Sequence, residues 1–325
     1  MTIQSPEGED QDRTTPPPAI LLMGPTASGK SRTALEIARY LPVEIVSVDS
    51  AQVYRHMDIG TAKPSQETMA AVPHHLINLI DPDQHYSVAQ FLHDAHAALR
   101  DVTGRGNIPL LVGGTMLYFR ALIEGLSELP PADDNVRAMI EDSARIRGWG
   151  ALHAGLSQLD PASAARIEPA DSQRIQRALE VYYLTGKPMS EILRKSRTGA
   201  LPYRAIPIAL VPGDRSVLHQ RIAQRFEHML ELGLIDEIRA IRDKFHITGE
   251  APSMRCIGYR QVWMHLERKA DFTEMRQKAL AATRQLAKRQ LTWLRSMRGI
   301  REFDCLAKNL PDQIRKHLAE ADLQS

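Results

Sequence analysis

Gly24-Pro25-Thr26-Ala27-Ser28-Gly29-Lys30-Ser31 is the stretch from which the fold can be read. It fits Gly-x-x-x-x-Gly-Lys-Ser, the spacing of a loop that cradles phosphate. Its flanks agree. Ala19-Ile20-Leu21-Leu22-Met23, just before it, has the length and composition of a buried strand. After it, Ala34, Leu35, Ile37, Ala38 and Leu41 recur at helical spacing. Strand, glycine turn and helix together aim backbone N–H groups and the positive end of a helix at one point. Lys30 adds a mobile positive charge, and the Ser31 hydroxyl is placed to ligate magnesium. The motif identifies a phosphate and leaves the reaction open.

Working outward, Val43-Glu44-Ile45-Val46-Ser47-Val48 reads as a second strand and ends in Asp49-Ser50-Ala51-Gln52. In an open parallel sheet, ligands sit beyond the carboxyl ends of the strands, so Asp49 is expected beside the phosphate loop. It could bind magnesium, act as a base, or merely cap the next segment. Met57 to Pro64 is turn-rich, and His74 to Asp81 reads as a third strand. Ser87 to Leu99 is a helix whose apolar residues share a face. Ile108 to Val112 is a fourth strand that delivers Gly113-Gly114-Thr115. There the glycines allow close backbone approach. Thr115 either offers its hydroxyl to the site or caps the next helix. His74, His75, His85, His93 and His96 lack the carboxylate or cysteine spacing of a metal site and read as structural or solvated.

The chain has 325 residues, 43% hydrophobic, with a formal net charge of +2. That length allows one large domain or two ordinary ones. The charge neither requires nor excludes nucleic acid. Cys256 and Cys305, its two cysteines, form no disulfide framework and no zinc spacing, which suits a reducing compartment such as the cytoplasm. Residues 1–18 are polar, acidic and proline-rich, without the pattern of a secretion signal, and are expected to be a disordered tail. No apolar run is long enough to span a bilayer, so no membrane partner is expected.

At Leu129-Pro130-Pro131-Ala132-Asp133-Asp134 the texture changes. Helical patterning continues to about Lys195, and strand texture returns at Ile206 to Val211. The expected architecture is therefore α/β: a parallel-sheet core (19–128 and 205–325) flanked by helices, carrying an all-helical insertion (129–204). From Arg215 onward the chain reads as helical. Arg284, Lys288 and Arg295 share a helix face that no acid interrupts, a pattern that suits a phosphate backbone or a solvated surface. By the same periodicity Trp293 falls on the opposite side and is expected to pack.

These residues alone suggest a P-loop kinase or an RNA-acting transferase. Longer stretches add a resemblance. Gly-Pro-Thr-Ala-Ser-Gly-Lys-Ser is followed by Ser-Val-Asp-Ser-Ala-Gln-Val-Tyr from Ser47 and Asp-Ile-Gly-Thr-Ala-Lys-Pro from Asp58. Leu-Val-Gly-Gly-Thr-Met-Leu-Tyr from Leu111, Arg-Cys-Ile-Gly-Tyr-Arg from Arg255 and Thr-Arg-Gln-Leu-Ala-Lys-Arg-Gln-Leu-Thr-Trp-Leu-Arg from Thr283 complete the series. In that order they resemble the bacterial tRNA dimethylallyltransferases. The zinc finger of the eukaryotic relatives has no counterpart here.

The resemblance implies a P-loop NTPase-like core; the cytoplasm remains the expected address, and a monomer the expected state. It implies transfer of a dimethylallyl group from dimethylallyl diphosphate to N6 of adenosine 37, in the anticodon stem-loop of tRNA. The loop from Gly24 to Ser31 would then hold a diphosphate leaving group with magnesium, and Asp49 would be the base. Thr115 would lie near donor and tRNA, and Arg225 on the diphosphate side. The tRNA-contacting stretches would be Asp49-Ser50-Ala51-Gln52, Thr115, Arg137, Gln173-Arg174-Ile175-Gln176-Arg177, Arg255-Cys256-Ile257-Gly258-Tyr259-Arg260 and Lys288-Arg289-Gln290-Leu291-Thr292-Trp293-Leu294-Arg295. The alternatives are a small-molecule kinase, an adenine-nucleotide isopentenyltransferase and a non-catalytic RNA-binding protein. The first two need no downstream RNA surface, and the last leaves Lys30 and Asp49 idle.

Overall fold

The computed structural model describes residues 16–194, 199–321 and 323. The expected tail therefore lies outside the described residues up to residue 15, whereas Pro18 already belongs to a strand. Six parallel strands form one sheet: β1 (Pro18–Met23), β2 (Val43–Val48), β3 (His74–His75), β4 (Ile108–Gly113), β5 (Arg204–Val211) and β6 (Arg301–Asp304), in the order β3-β2-β4-β1-β5-β6. Pro18 pairs with Arg204 and Met23 with Ala209, while Ile20 pairs with Leu110 on the other side. Burial on both faces explains why β1 is an unbroken apolar run.

The helices are α1 (Lys30–Ala38), α2 (Gln66–Ala71), α3 (Val88–Gly104), α4 (Met116–Glu124), α5 (Asp134–Arg147), α6 (Trp149–Leu159), α7 (Pro161–Ala164), α8 (Ser172–Thr185), α9 (Met189–Ile192), α10 (Arg215–Glu231), α11 (Leu234–Phe245), α12 (Tyr259–Leu266), α13 (Phe272–Ser296) and α14 (Leu310–Ala319). Ile20, Leu22, Leu110 and Ile208 on one sheet face pack with Ala34 and Ile37 of α1 and Ile314 and Leu318 of α14. Alternation sends Leu21 and Leu111 to the opposite face. A second core joins Val53, Tyr54 and Met57 to Ile238 of α11, Tyr259 of α12 and Met275 of α13.

The chain divides into two compact units, Met1–Arg120 with Leu201–Ser325, and Ala121–Ala200. The second unit begins before the expected residue 129, and residue 204 belongs to the sheet through its pairing with Pro18. Within it, Ile140 and Ala144 of α5, Leu152 and Leu156 of α6 and Ile175 and Leu179 of α8 make a core of their own.

Two expectations fail locally. The third strand stops at His75 because Leu76 and Asn78 take left-handed backbone angles, φ 62° and 58°, which end an extended run. Leu79 and Ile80 hydrogen-bond instead to Val53 and Arg55. The chain after Arg215 is not wholly helical, since β6 follows α13. Of its four residues only Phe303 is buried, so this edge strand carries no apolar run to announce it.

Glu44, near the amino end of β2, has only 4% of its side chain exposed. Its carboxylate accepts from Arg105 Nε at 2.8 Å and Nη2 at 2.7 Å, and from Asn107 at 2.7 Å, with His75 Nε2 at 2.6 Å. The Arg105 hydrogen bonds, against the opposing effect of burial, bring its pKa down from 4.5 to about 2. A depressed carboxylate stabilises the fold above its unfolded pKa, and that stability is lost as pH falls from 4.5 to about 2. The half-exposed Arg105 is screened, which leaves on the order of 2–3 kcal/mol in this window. Denaturant midpoints of wild type should drop more steeply there than those of Glu44→Gln. Parallel curves would show that Glu44 does not control acid unfolding.

Candidate active site

The phosphate loop leaves β1 at Gly24, where a Cβ would lie 2.7 Å from Ser28 Oγ and 2.8 Å from Leu210 O, so glycine is required. Ala27 and Gly29 are both left-handed, φ 63° and 90°, which curls the backbone into a concave turn. The N–H groups of Gly29, Lys30 and Ser31 donate to no acceptor among the described residues. They belong to the first turn of α1, whose amides have no partner within the helix. Lys30 Nζ lies back along the loop, donating to Gly24 O at 2.9 Å and Pro25 O at 2.7 Å. Burial and then the nearby Arg225 lower its pKa to about 8, against the opposing pull of Asp49. Ser31 is exposed on the first helical turn, and Ser28 Oγ is buried without a partner.

Asp49 follows β2 and is half-buried. Its Oδ1 accepts from Ala51 N–H at 2.9 Å, a local turn, while Oδ2 has no hydrogen bond among the described residues. One oxygen caps, and the other is available for chemistry. Thr115 Oγ1 accepts from Ser50 N–H at 3.0 Å, and Thr115 N–H donates to Val48 O at 3.2 Å. The hydroxyl therefore ties the ends of β2 and β4 together and does not cap α4. Arg225, on α10, is half-buried and makes no hydrogen bond or ion pair among the described residues. Burial lowers its pKa while Asp49 opposes. Two cations that repel each other, Lys30 and Arg225, thus stand beside unclaimed amides. That arrangement suits a polyanion.

The structure sorts the other predicted residues. On α13, Arg284, Lys288, Arg289 and Arg295 are exposed and form no ion pair among the described residues. Gln285, Lys288, Arg289, Thr292 and Trp293 line a surface depression of about 450 Å³. Trp293 is half-buried at this surface, with the Arg120 guanidinium 5.6 Å from its ring, so it does not pack wholly on the far side of the helix. Gln290, Leu291 and Leu294 are buried, which turns their side chains away from solvent. Arg255 and Arg260 are exposed, Ile257 is half-buried, and Gly258 and Tyr259 are buried. Cys256 is half-buried, and burial pushes its thiol up to about 12.

In the unit Ala121–Ala200, Gln173 and Arg174 are exposed, with Arg174 3.2 Å from Asp171. Ile175 is buried, and Gln176 Nε2 donates to Glu141 at 3.0 Å. Arg137 and Arg177 hold the buried Glu180 at 2.9 and 2.6 Å. Both guanidinium groups are thus engaged with a buried carboxylate. Among the described residues, no cluster of three histidine, cysteine or carboxylate side chains could hold a metal, and no helix is long and apolar enough to cross a membrane.

The IPP transferase profile matches residues 52–297, and the Isopentenyl transferase profile residues 18–78. The chain belongs to the IPP transferase family. It is 68% identical over 308 residues to the tRNA dimethylallyltransferase of Nitrosospira multiformis, covering 95% of each chain. It is 63% identical over 298 residues to that of Nitrosomonas europaea, covering 92% of this chain and 94% of the other. A solved tRNA isopentenylpyrophosphate transferase from Bacillus halodurans has a TM-score of 0.67 and 36% identity, over 94% of this chain and 98% of that one. A eukaryotic dimethylallyltransferase solved acting on tRNA has a TM-score of 0.77 and 26% identity, over 94% and 79%. The P-loop NTPase-like fold and a transferase activity follow from this membership.

Some site-building residues of this IPP transferase were missed in the sequence. Glu237 of α11 accepts from the N–H groups of Asp58 at 2.9 Å, Ile59 at 2.7 Å and Gly60 at 3.3 Å, and from Tyr259 OH at 2.5 Å. Lys63 Nζ donates to Tyr54 O, Asp58 Oδ1 and Asn78 Oδ1 at 2.6–2.7 Å. The loop so held presents Thr61 O and Ala62 O to Gln52 Nε2 at 3.4 and 3.5 Å, and Gln52 Oε1 accepts from Ser47 at 2.9 Å. The Asp-Ile-Gly-Thr-Ala-Lys-Pro motif hinted at this loop. Nothing local marked Glu237, because its partners lie far off in sequence.

Charge arriving above Lys30 should raise its pKa again. At about pH 8.5, inorganic diphosphate should therefore bind with proton uptake by Lys30, and affinity should decline as pH rises beyond about 8. Calorimetry in buffers of different ionisation heat measures the uptake, and the difference between wild type and Lys30→Met isolates the lysine's share. Identical proton counts in the two proteins would contradict this account of Lys30.

Proposed function

We propose that this enzyme transfers a dimethylallyl group from dimethylallyl diphosphate to N6 of adenosine 37, beside the anticodon of tRNA, releasing diphosphate. The observation that carries the reading is the free Oδ2 of Asp49 beside a loop of unclaimed amides, Lys30 and Arg225. As the allylic C–O bond breaks, negative charge grows on the diphosphate. The amides of Gly29, Lys30 and Ser31, with the side chains of Lys30 and Arg225, are preorganised to stabilise it. The N6 lone pair forms the new bond to the allylic carbon, and Asp49 Oδ2 takes the proton that N6 must lose. Help of this kind is typically worth ~10²–10⁴-fold.

Magnesium fits the donor set. Ser31 offers an exposed hydroxyl on the first turn of α1, a hard oxygen ligand of which magnesium needs only one or two from the protein. Bound there with diphosphate and water, it would add neutralising charge to the leaving group. The adenine must leave the stacked anticodon loop to reach Asp49. The exposed stripe of α13 supplies cations for the RNA backbone. Because its acceptor is tRNA, the same proposal puts the enzyme in the cytoplasm.

Incubation with labelled dimethylallyl diphosphate and total tRNA, followed by nucleoside analysis, should give one labelled product, N6-dimethylallyladenosine. Label in phosphorylated small molecules, or none in RNA, would refute the proposal. Asp49→Asn should cut the single-turnover rate at saturating substrates by ~10²-fold or more, with smaller changes in either affinity. A rate rescued by excess magnesium would make Asp49 a metal ligand, and a normal rate would end its role as base. Replacing Arg284, Lys288 and Arg295 together by Gln should weaken tRNA binding and flatten its salt dependence, because fewer counterions are released. An unchanged salt slope would leave this face a solvated surface.

A further inference from the structure

Gln290 lies on the same helix as the exposed cations of α13 but turns inward, only 7% exposed. Its Oε1 accepts from Thr26 N–H of the phosphate loop at 2.9 Å, and its Nε2 donates to Gly114 O, beyond β4, at 2.8 Å. These two partners allow only one orientation of the amide. A Cβ on Gly114 would lie 2.4 Å from Nε2, so the glycine makes room for this contact. Thr115 then holds Ser50, next to Asp49. Hydrogen bonds at Thr26, Gly114 and Ser50, linked by short backbone steps, thus join the loop that takes the diphosphate to the strand end that carries the base.

We propose that Gln290 is a positioning residue for the transfer, holding the phosphate loop at a fixed register to Asp49 so that the allylic carbon and the acceptor nitrogen meet in line. The inference rests on the reaction proposed above. It gives Gln290 a role other than contact with RNA. Misplacement by about an ångström is enough to cost ~10²-fold in rate.

Gln290→Met keeps the length and packing of the side chain without its hydrogen bonds. Its single-turnover rate at saturating donor and tRNA should fall roughly 10- to 100-fold, with tRNA affinity within about threefold of wild type. Gln290→Glu supplies a second readout. Its neutral acid can accept from Thr26 N–H and donate to Gly114 O, whereas its carboxylate cannot donate. The rate of Gln290→Glu relative to wild type should therefore rise as pH falls, while that of Gln290→Met stays flat. A Met variant within twofold of wild type would overturn the inference. So would a loss confined to tRNA affinity, or one that vanishes at a temperature where melting curves show both proteins folded. Calorimetric titration with inorganic diphosphate needs no transfer, and there Gln290→Met should bind at least about threefold more weakly. Equal diphosphate affinity would overturn the inference, whereas a wild type that binds diphosphate but forms no labelled nucleoside would overturn the reaction alone.

Discussion

The amides of Gly29, Lys30 and Ser31 have no acceptor among the described residues, and that unmet demand organises the site. A helix start without partners is stable where water or an anion can reach it. Parallel pairing then brings the carboxyl ends of β1, β2 and β4 to the same end of the sheet. Asp49 and Thr115 arrive beside the loop as a consequence of register. Lys30 and Arg225 face the same region without a carboxylate bound to either, so their charge remains directed at a ligand.

Cations elsewhere have been put to other work. Arg137 and Arg177 stabilise the buried Glu180, and Arg105 does the same for Glu44. Each would weaken the compensation of a buried carboxylate if it swung away. A basic residue in a stretch associated with RNA is therefore not by itself an RNA contact. The difference lies in whether the fold already provides its counter-charge. On α13, Arg284, Lys288 and Arg295 have no such partner among the described residues.

What could be read in the sequence was local. The glycine loop, the apolar run of β1 and the periodicity of α1 lie within one short stretch, and together they imply the core. Resemblance of longer motifs extended that reading to the reaction. The remainder depended on distant pairings. Nothing near Gln290 points to Thr26 or Gly114, since the contacts span 264 and 176 residues. Nothing near Arg137 points to Glu180, 43 residues away, whereas Arg177 stands three residues from Glu180 on α8 and that pairing is local. β6 was illegible because an edge strand with one buried residue needs no apolar pattern. The third strand was over-read because hydropathy does not report the left-handed turns at Leu76 and Asn78.

The carboxylate of Glu237 takes up the backbone of Asp58, Ile59 and Gly60, which no strand or helix contains. Gly60 is packed so closely on Tyr259 that a Cβ would lie 2.4 Å from its ring. This irregular segment is as firmly bonded as a strand in a sheet, with a side chain of α11 serving as its neighbouring strand. In a chimaera between related enzymes, the loop and α11 would therefore have to be exchanged as one piece.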